Sequence, residues 1–155
     1  MYRKIVDSPI GKIELIEEDN NITEINILKN IKINSIKQKN TKLLMKTEKQ
    51  LKEYFSGIRT KFTVPLNPKG TKFMKEVWNE LLNIPYGEVR TYKEIAQKIG
   101  NINAARAVGM ANHKNPIPII IPCHRVIGSN NKLVGYALGL DVKQYLLNLE
   151  RKELS

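Results

Sequence analysis

The chain holds one cysteine, Cys123, and the two residues after it are His124 and Arg125. A cysteine attacks as its thiolate, and an ordinary thiol titrates near pH 8.5 (about), so a neighbouring base or cation must activate it. A Cys-His pair is one arrangement that does so. Adjacency in sequence does not ensure contact, because neighbours in an extended chain point to opposite faces. A water can bridge His124 to Cys123, and a carboxylate can orient the ring from its far side. Between Glu94 and Arg151 the only acids are Asp141 and Glu150. The plainer alternative is that Cys123 is a small buried packing residue. Residue types alone leave both readings open. A single cysteine does exclude an intramolecular disulfide and a cysteine-rich zinc site.

Stepping outward, charge suggests a partner. Of 155 residues, 26 are Lys or Arg and 15 are Asp or Glu, a formal net charge of +11. Such an excess favours a polyanion, since basic side chains displace counterions from phosphates. From Glu94 to Asp141 no acid intervenes, while Lys98, Arg106, Lys114, Arg125 and Lys132 fall there. That is consistent with a face kept clear for phosphate, or with chance in an apolar stretch. At 41% hydrophobic residues the chain is too apolar for disorder. No apolar run approaches the roughly 20 residues of a membrane span. The opening Met1–Asp7 lacks a signal-peptide apolar stretch, so a cytoplasmic protein is expected, or a nuclear one in a eukaryotic host.

The elements that must position these groups follow from periodicity and capping. Tyr2–Val6, Gly11–Ile16 and Ile22–Leu28 alternate as strands around turns at Ser8-Pro9 and Glu18–Asn21, a three-stranded meander. Leu43, Leu44, Leu51, Tyr54 and Phe55 are spaced as a helix from Thr41, stopped by Gly57. Phe62–Leu66 is a short extended piece and Pro65–Gly70 reads as a linker, which divides the chain into 1–67 and 68–155. Beyond it, Thr71 caps a helix carrying Phe73, Met74, Val77, Trp78, Leu81 and Leu82, broken at Pro85-Tyr86-Gly87. Thr91-Tyr92-Lys93-Glu94 is a capping box opening a helix that ends at Gly100. Asn103 is placed to cap another, Ala104 to about His113, which stops before Asn115-Pro116. The pair is a helix-turn-helix candidate with Arg106 near the start of its second helix. Pro116–Pro122 alternates prolines with isoleucines and is expected to be extended and buried. A glycine-containing loop, Gly128–Gly139, precedes a last helix from about Asp141 to Arg151, with Val142, Tyr145, Leu146 and Leu149 facing inward.

The heptad Ile121-Pro122-Cys123-His124-Arg125-Val126-Ile127 resembles the active-site signature of the O6-alkylguanine-DNA alkyltransferases. Val77-Trp78, Ile84–Glu88, Thr91-Tyr92 with Ile95-Ala96, Ala105–Gly109, Asn115-Pro116, and Gly135-Tyr136 with Lys143 and Glu150 follow in the family's order. The resemblance covers roughly Thr71 to Glu150. It implies an α+β fold: a small N-terminal sheet-plus-helix domain of ribonuclease H-like type, and a mostly helical C-terminal domain bearing the helix-turn-helix. It implies an enzyme that moves a methyl or alkyl group from O6 of guanine onto its own Cys123, once per molecule, after flipping the base, with O4 of thymine as a second implied donor. His124, through a water, accepts the thiol proton; Glu150 polarises His124; Asn115 is a hinge holding the active-site strand against the recognition helix. Arg106 fills the space of the flipped base from the minor groove. Tyr92 rotates the nucleotide out and bonds the base. Backbone carbonyls of Cys123 and Val126 read the guanine amino group, and Tyr136 lines the pocket. Thr91, Ala104, Gly109, Ser129 and Ala137 complete the implied DNA- and substrate-contacting set. The implied partner is double-stranded DNA carrying O6-alkylguanine, met by a monomer without a membrane.

The departures from the pattern also carry expectations. Tyr136-Ala137 is followed by Leu138-Gly139 where the family often has a glycine pair, so bulky adducts are expected to fit poorly. His113 stands where many relatives carry a basic residue. Residues 1–67 hold neither Cys nor His, so no metal and no cofactor is expected. Three rivals stand beside the reading. A lesion sensor of the same fold lacks the cysteine. A major-groove regulator shows sequence preference, which an alanine-rich helix does not supply. A Cys-His hydrolase turns over many times.

Overall fold

A computed structural model describes residues 1–29, 35–129, 136 and 138–152. The chain divides into two compact units, Met1–Lys69 and Gly70–Ser155.

In the first unit, β1 (Tyr2–Ser8), β2 (Gly11–Glu18) and β3 (Asn21–Ile27) form an antiparallel meander in that order. Ile13 and Leu15 of β2 are fully buried. Two carboxylates of β2 are buried as well, and each finds a partner: Glu14 accepts from Asn26 Nδ2 at 3.2 Å and Glu17 from Thr41 Oγ1 at 2.5 Å. Thr41 also caps α1 (Lys42–Phe55) by accepting from Leu44 N, so one hydroxyl starts the helix and ties it to β2. Gly57, at φ 82°, ends it. The segment expected as a linker is partly structured. Ile22 N donates to Pro65 O and Asn67 N to Ile22 O, both at 2.9 Å, so Leu66 pairs with Ile22 along the sheet. The prolines hid this pairing, but proline lacks only the N–H: Pro65 accepts through its carbonyl and the donor is Asn67.

The second unit is mostly helical. α2 (Lys72–Leu81) is capped by Thr71 and buries Val77, Trp78 and Leu81. Trp78 Nε1 donates to Ala111 O at 2.8 Å, which fixes α2 against the chain near Ala111. α3 (Tyr92–Lys98) carries both halves of the capping box between Thr91 and Glu94. Asn103 does not cap the next helix. The side chain of Asn101 accepts from Asn103 N and opens a 3-10 turn, Ile102–Ala104, which runs directly into α4 (Ala105–His113). The chain leaves Gly100 at φ 83°, and Asn101 is then the first residue able to cap.

Two expectations near the cysteine are corrected. The stretch Pro116–Pro122 is buried but not extended. It folds into a tight turn in which Ile121 N donates to Ile117 O at 3.0 Å and Ile119 sits at φ 77°. A β-branched residue in that region is strained by about 1–3 kcal/mol, and its packing must hold it there. Cys123–Arg125 is itself a 3-10 turn, followed by β5 (Val126–Ile127). β5 pairs in parallel with β4 (Arg90–Thr91), so Thr91 and the start of α3 lie beside the cysteine turn. The last helix, α5 (Leu140–Lys152), buries Lys143, Leu146, Leu147 and Glu150, whereas Tyr145 is exposed and Val142 and Leu149 are half-buried. Its inward face carries two charges, which an apolar pattern cannot register. No described helix is long and apolar enough to cross a membrane.

Candidate active site

Cys123 is held by its own backbone and by two asparagines. Cys123 N donates to Ile121 O at 2.7 Å, and Val126 N closes the turn on Cys123 O. Asn115 Nδ2 donates to Ile121 O at 2.9 Å while its Oδ1 accepts from Ile117 N at 2.9 Å, so one side chain pins both arms of the isoleucine turn. Asn112, on the inward face of α4, donates to Cys123 O at 3.3 Å. The thiol is buried, and burial pushes it above its ordinary value. Hydrogen bonding from Asn115 and Tyr136 and the charge of Lys143 pull it back in part.

His124 is fully buried, and its Nε2 lies 2.6 Å from Glu150 Oε2. Burial lowers the imidazole below its ordinary value, against the pull of Glu150, so the ring is neutral at pH 7. Burial alone raises the Glu150 carboxyl. Hydrogen bonds and charge from His124 and Arg125 outweigh it and hold the group well below the carboxylate range. An ionised Glu150 therefore accepts Nε2–H, and the network leaves Nδ1 as the basic nitrogen. Nδ1 is buried with no hydrogen-bond partner among the described residues. Arg125 Nε and Nη2 reach Glu150 at 2.8 and 3.1 Å, and Nη1 donates to Ile84 O at 2.8 Å. A buried cation thus matches the buried carboxylate, and the histidine completes a three-member network.

Lys143 is also fully buried, with Nζ donating to Val126 O at 2.6 Å. Tyr136 lies under it, at 5.9 Å from Nζ to the ring centroid. Burial brings Lys143 down to about 8, opposed by the charge of Cys123. Tyr92, half-buried at the start of α3, is hydrogen-bonded to Asn112, and burial raises its phenol.

The whole chain matches known sequences. Residues 72–152 match the family model described as 6-O-methylguanine DNA methyltransferase, DNA binding domain, and residues 1–68 match its ribonuclease-like domain. The chain belongs to the 6-O-methylguanine DNA methyltransferase family. Its relatives include a methylated-DNA–protein-cysteine methyltransferase of Methanosarcina acetivorans, 50% identical over 97% of this chain and 98% of the relative. A constitutive enzyme of the same name from Bacillus subtilis is 41% identical over 97% and 95%. Among solved structures, Mycobacterium tuberculosis OGT in complex with DNA aligns with a TM-score of 0.89 at 43% identity, over 99% of this chain and 94% of that one. The O6-methylguanine DNA methyltransferase of Methanococcus jannaschii aligns at 0.73 and 32%, over 96% and 93%.

In this member of the family the residues singled out from sequence fall into two groups. Cys123, His124, Glu150, Asn115, Val126 and Tyr136 come together around the buried thiol. Arg106 is on the exposed face of α4, with Ala107, Met110 and His113. Thr91 and Tyr92 sit at the cap of α3, and a Cβ on Gly109 would lie 3.9 Å from the Tyr92 ring. The helix start is a correction: α4 begins at Ala105, one residue later than the sequence suggests, and Ala104 is buried in the 3-10 turn before it. Ser129 is exposed. Ala137 and most of the loop before it lie outside the described residues.

Sequence reasoning passed over Asn112, gave no role to Lys143, and counted Arg125 among the bases of a phosphate-facing stretch, whereas Arg125 is buried against Glu150. Each left a trace. Asn112 is polar on the inward face of an alanine-rich helix. Arg125 adjoins the histidine of the motif. Lys143 precedes Glu150 by seven residues, two helical turns, and so shares its face.

Proposed function

We propose that this protein repairs DNA by transferring a methyl or other alkyl group from O6 of guanine to Cys123, once per molecule. The observation that carries the reading is the buried network at the only thiol: Glu150 holds Nε2–H of a neutral His124, so Nδ1 is left basic. Through a water, Nδ1 takes the thiol proton. Sγ then attacks the alkyl carbon; the S–C bond forms and the C–O6 bond breaks. The electron pair goes to the guanine, which regains a proton at the ring. The product is a thioether with no easy reversal, so the protein is consumed.

An atom inside a stacked duplex is out of reach of a buried thiol, so the guanine must leave the stack, at a cost of a few kcal/mol (roughly). The helix pair α3–α4 supplies a DNA-facing element whose α4 face exposes Arg106 and Ala107. On this reading α4 lies in the minor groove and Arg106, planar and charged, occupies the space of the flipped base. Tyr92 turns the nucleotide, and Thr91, Gly109, Ser129 and Ala137 lie along the DNA or the base. The carbonyls of Cys123 and Val126 read the guanine amino group. Asn115 keeps the thiol-bearing turn against α4, in keeping with its two bonds to the isoleucine turn. The protein acts as a cytoplasmic monomer on double-stranded DNA.

The test is direct. The protein is mixed with a duplex carrying radiolabelled O6-methylguanine, and label is followed onto protein. About one label per chain, lost in Cys123→Ala, is the expected result. Label released to water, or continued turnover, refutes it.

A further inference from the structure

The relay of His124 and Glu150 does not use Asn112, yet Asn112 is buried to 1% exposure on the inward face of α4. Its carboxamide is half used. Nδ2 donates to Cys123 O at 3.3 Å, while Oδ1 is buried with no hydrogen-bond partner among the described residues. The neighbour sets the orientation of the amide: Cys123 O can only accept, so Nδ2 is the arm that meets it and Oδ1 the arm left over. A buried acceptor is seldom left without a donor, and the described residues supply none here.

Cys123 O is already met by two donors, Val126 N and Asn112 Nδ2, one for each lone pair. On the repair reading the amino group of the flipped guanine comes to Cys123 O and Val126 O. A third donor reaches Cys123 O only by displacing one already there. Tyr92, read as bonding the base, lies along the same face of α4: a Cβ on Gly109, three residues before Asn112, would be 3.9 Å from its ring. Asn112 thus bonds one group read as touching the base and shares a helix face with the other.

The chemistry of the base names the donor. In O6-alkylguanine the ring nitrogen N1 carries no hydrogen, because the alkyl group holds O6 as an ether. N1, N3 and N7 are all acceptors, and the 2-amino group is the only N–H donor the base brings. We propose that Asn112 is a specificity-determining residue: its Nδ2 holds Cys123 O, and its Oδ1 accepts one N–H of the guanine 2-amino group, the other going to Val126 O. The proposal rests on the repair reading, and a ratio of rates separates the two.

Two duplexes that differ only at the 2-amino group are compared, one carrying O6-methylguanine and one O6-methylhypoxanthine, which lacks that group. The quantity read is the ratio of their second-order rates of methyl transfer to Cys123. Asn112→Leu removes donor and acceptor at nearly constant size. It is expected to narrow the unaltered protein's preference for O6-methylguanine by about tenfold, the worth of one hydrogen bond. Asn112→Asp keeps an oxygen at the position and loses the donor; both of its rates fall, but its ratio is expected to stay within about threefold of the unaltered protein's. A residue that only pegs the carbonyl slows both duplexes alike. A folded Asn112→Leu whose ratio moves by less than about threefold therefore overturns the proposal, as does Asn112→Asp losing the preference as fully as Asn112→Leu. Equal rates on the two duplexes in the unaltered protein overturn it as well. Should neither variant fold, Cys123→Ala protein with 13C-labelled asparagine decides. Its Asn112 carboxamide carbon is expected to differ in shift between the complexes with the two duplexes, and no difference overturns the proposal. No transfer from either duplex by the unaltered protein sinks the repair reading and this proposal with it, whereas transfer with an unmoved ratio leaves that reading standing and removes only Asn112 from it.

Discussion

Glu150→Gln isolates the charge that the active-site network is built around. The substitution keeps the shape and one carbonyl oxygen. It removes the negative charge from a site where Glu150 is 1% exposed and takes His124 Nε2 at 2.6 Å, Arg125 Nε at 2.8 Å and Arg125 Nη2 at 3.1 Å. Arg125, itself 7% exposed, keeps only neutral acceptors, Ile84 O and the one amide oxygen. Leaving a buried cation without its anion costs about 3–5 kcal/mol. With a urea slope of about 2 kcal/mol/M, that lowers the unfolding midpoint by roughly 2 M. Trp78 is the only tryptophan and is buried in the same unit, so its fluorescence follows the transition. The double variant Arg125→Met, Glu150→Leu removes both charges and is expected to recover most of the loss, since an apolar pair of similar volume replaces a buried ion pair at little cost. A midpoint for Glu150→Gln within about 0.5 M of the unaltered protein refutes the argument. So does a double variant no more stable than the single one, which places the cost in packing instead of charge.

Four further outcomes follow from the same geometry. Asn115→Asp removes the donor to Ile121 O and sets a carboxylate beside the thiol; it is expected to slow iodoacetamide alkylation of Cys123 at pH 7 by about tenfold, measured as a rate, and an unchanged rate counts against the placement. Thr91→Ala removes the half of the capping box in which Thr91 Oγ1 accepts from Glu94 N, leaving the backbone N–H of residue 91 on Glu94 Oε1, and is expected to cost about 1 kcal/mol in urea unfolding, with a loss under about 0.3 kcal/mol contradicting it. Acidification destabilises the second unit in a defined order. His124 lies below its ordinary 6.5 and Glu150 below its ordinary 4.5 in the fold, so below each of those values the unfolded chain binds a proton that the folded chain refuses, and stability falls first below pH 6.5 and again below pH 4.5. A urea midpoint constant down to pH 4 rules this out. Finally, Leu138 stands where the family often has glycine, and its side chain is expected to narrow the pocket edge, so O6-benzylguanine is expected to inactivate the protein more slowly than methyl transfer from DNA proceeds, and equal rates dispose of the idea.

What could be read from sequence was whatever local chemistry decides. Thr41, Thr71 and Thr91 each start a helix because a hydroxyl caps free N–H groups, and that needs only the next three residues. The meander was legible because β-turns and alternation are local too. The isoleucine turn was not. Alternating prolines and isoleucines favour an extended chain, yet Asn115 binds Ile117 N and Ile121 O at once and draws the segment into a loop that puts Ile119 at positive φ. A side-chain bridge from the residue just before the segment overrode the preference of its backbone, and those seven residues alone do not contain it.

The same reasoning explains why α5 was misjudged while the motif on which it acts was not. Cys123-His124-Arg125 is contiguous, so its chemistry is visible in a line of text. The groups that make it work arrive from α4 and α5, and they are polar residues on faces where an apolar stripe is the usual guide. Asn112, Lys143 and Glu150 are buried because the turn offers each a partner: Cys123 O, Val126 O, and the His124 and Arg125 side chains. Taken alone, each helix seems to bury groups that belong in water. Taken against the turn, every such group meets a donor, an acceptor or an opposite charge. A buried polar residue on a helix is therefore a pointer to what the helix faces, and here Asn112, Lys143 and Glu150 all point to the same three residues and the strand that follows them.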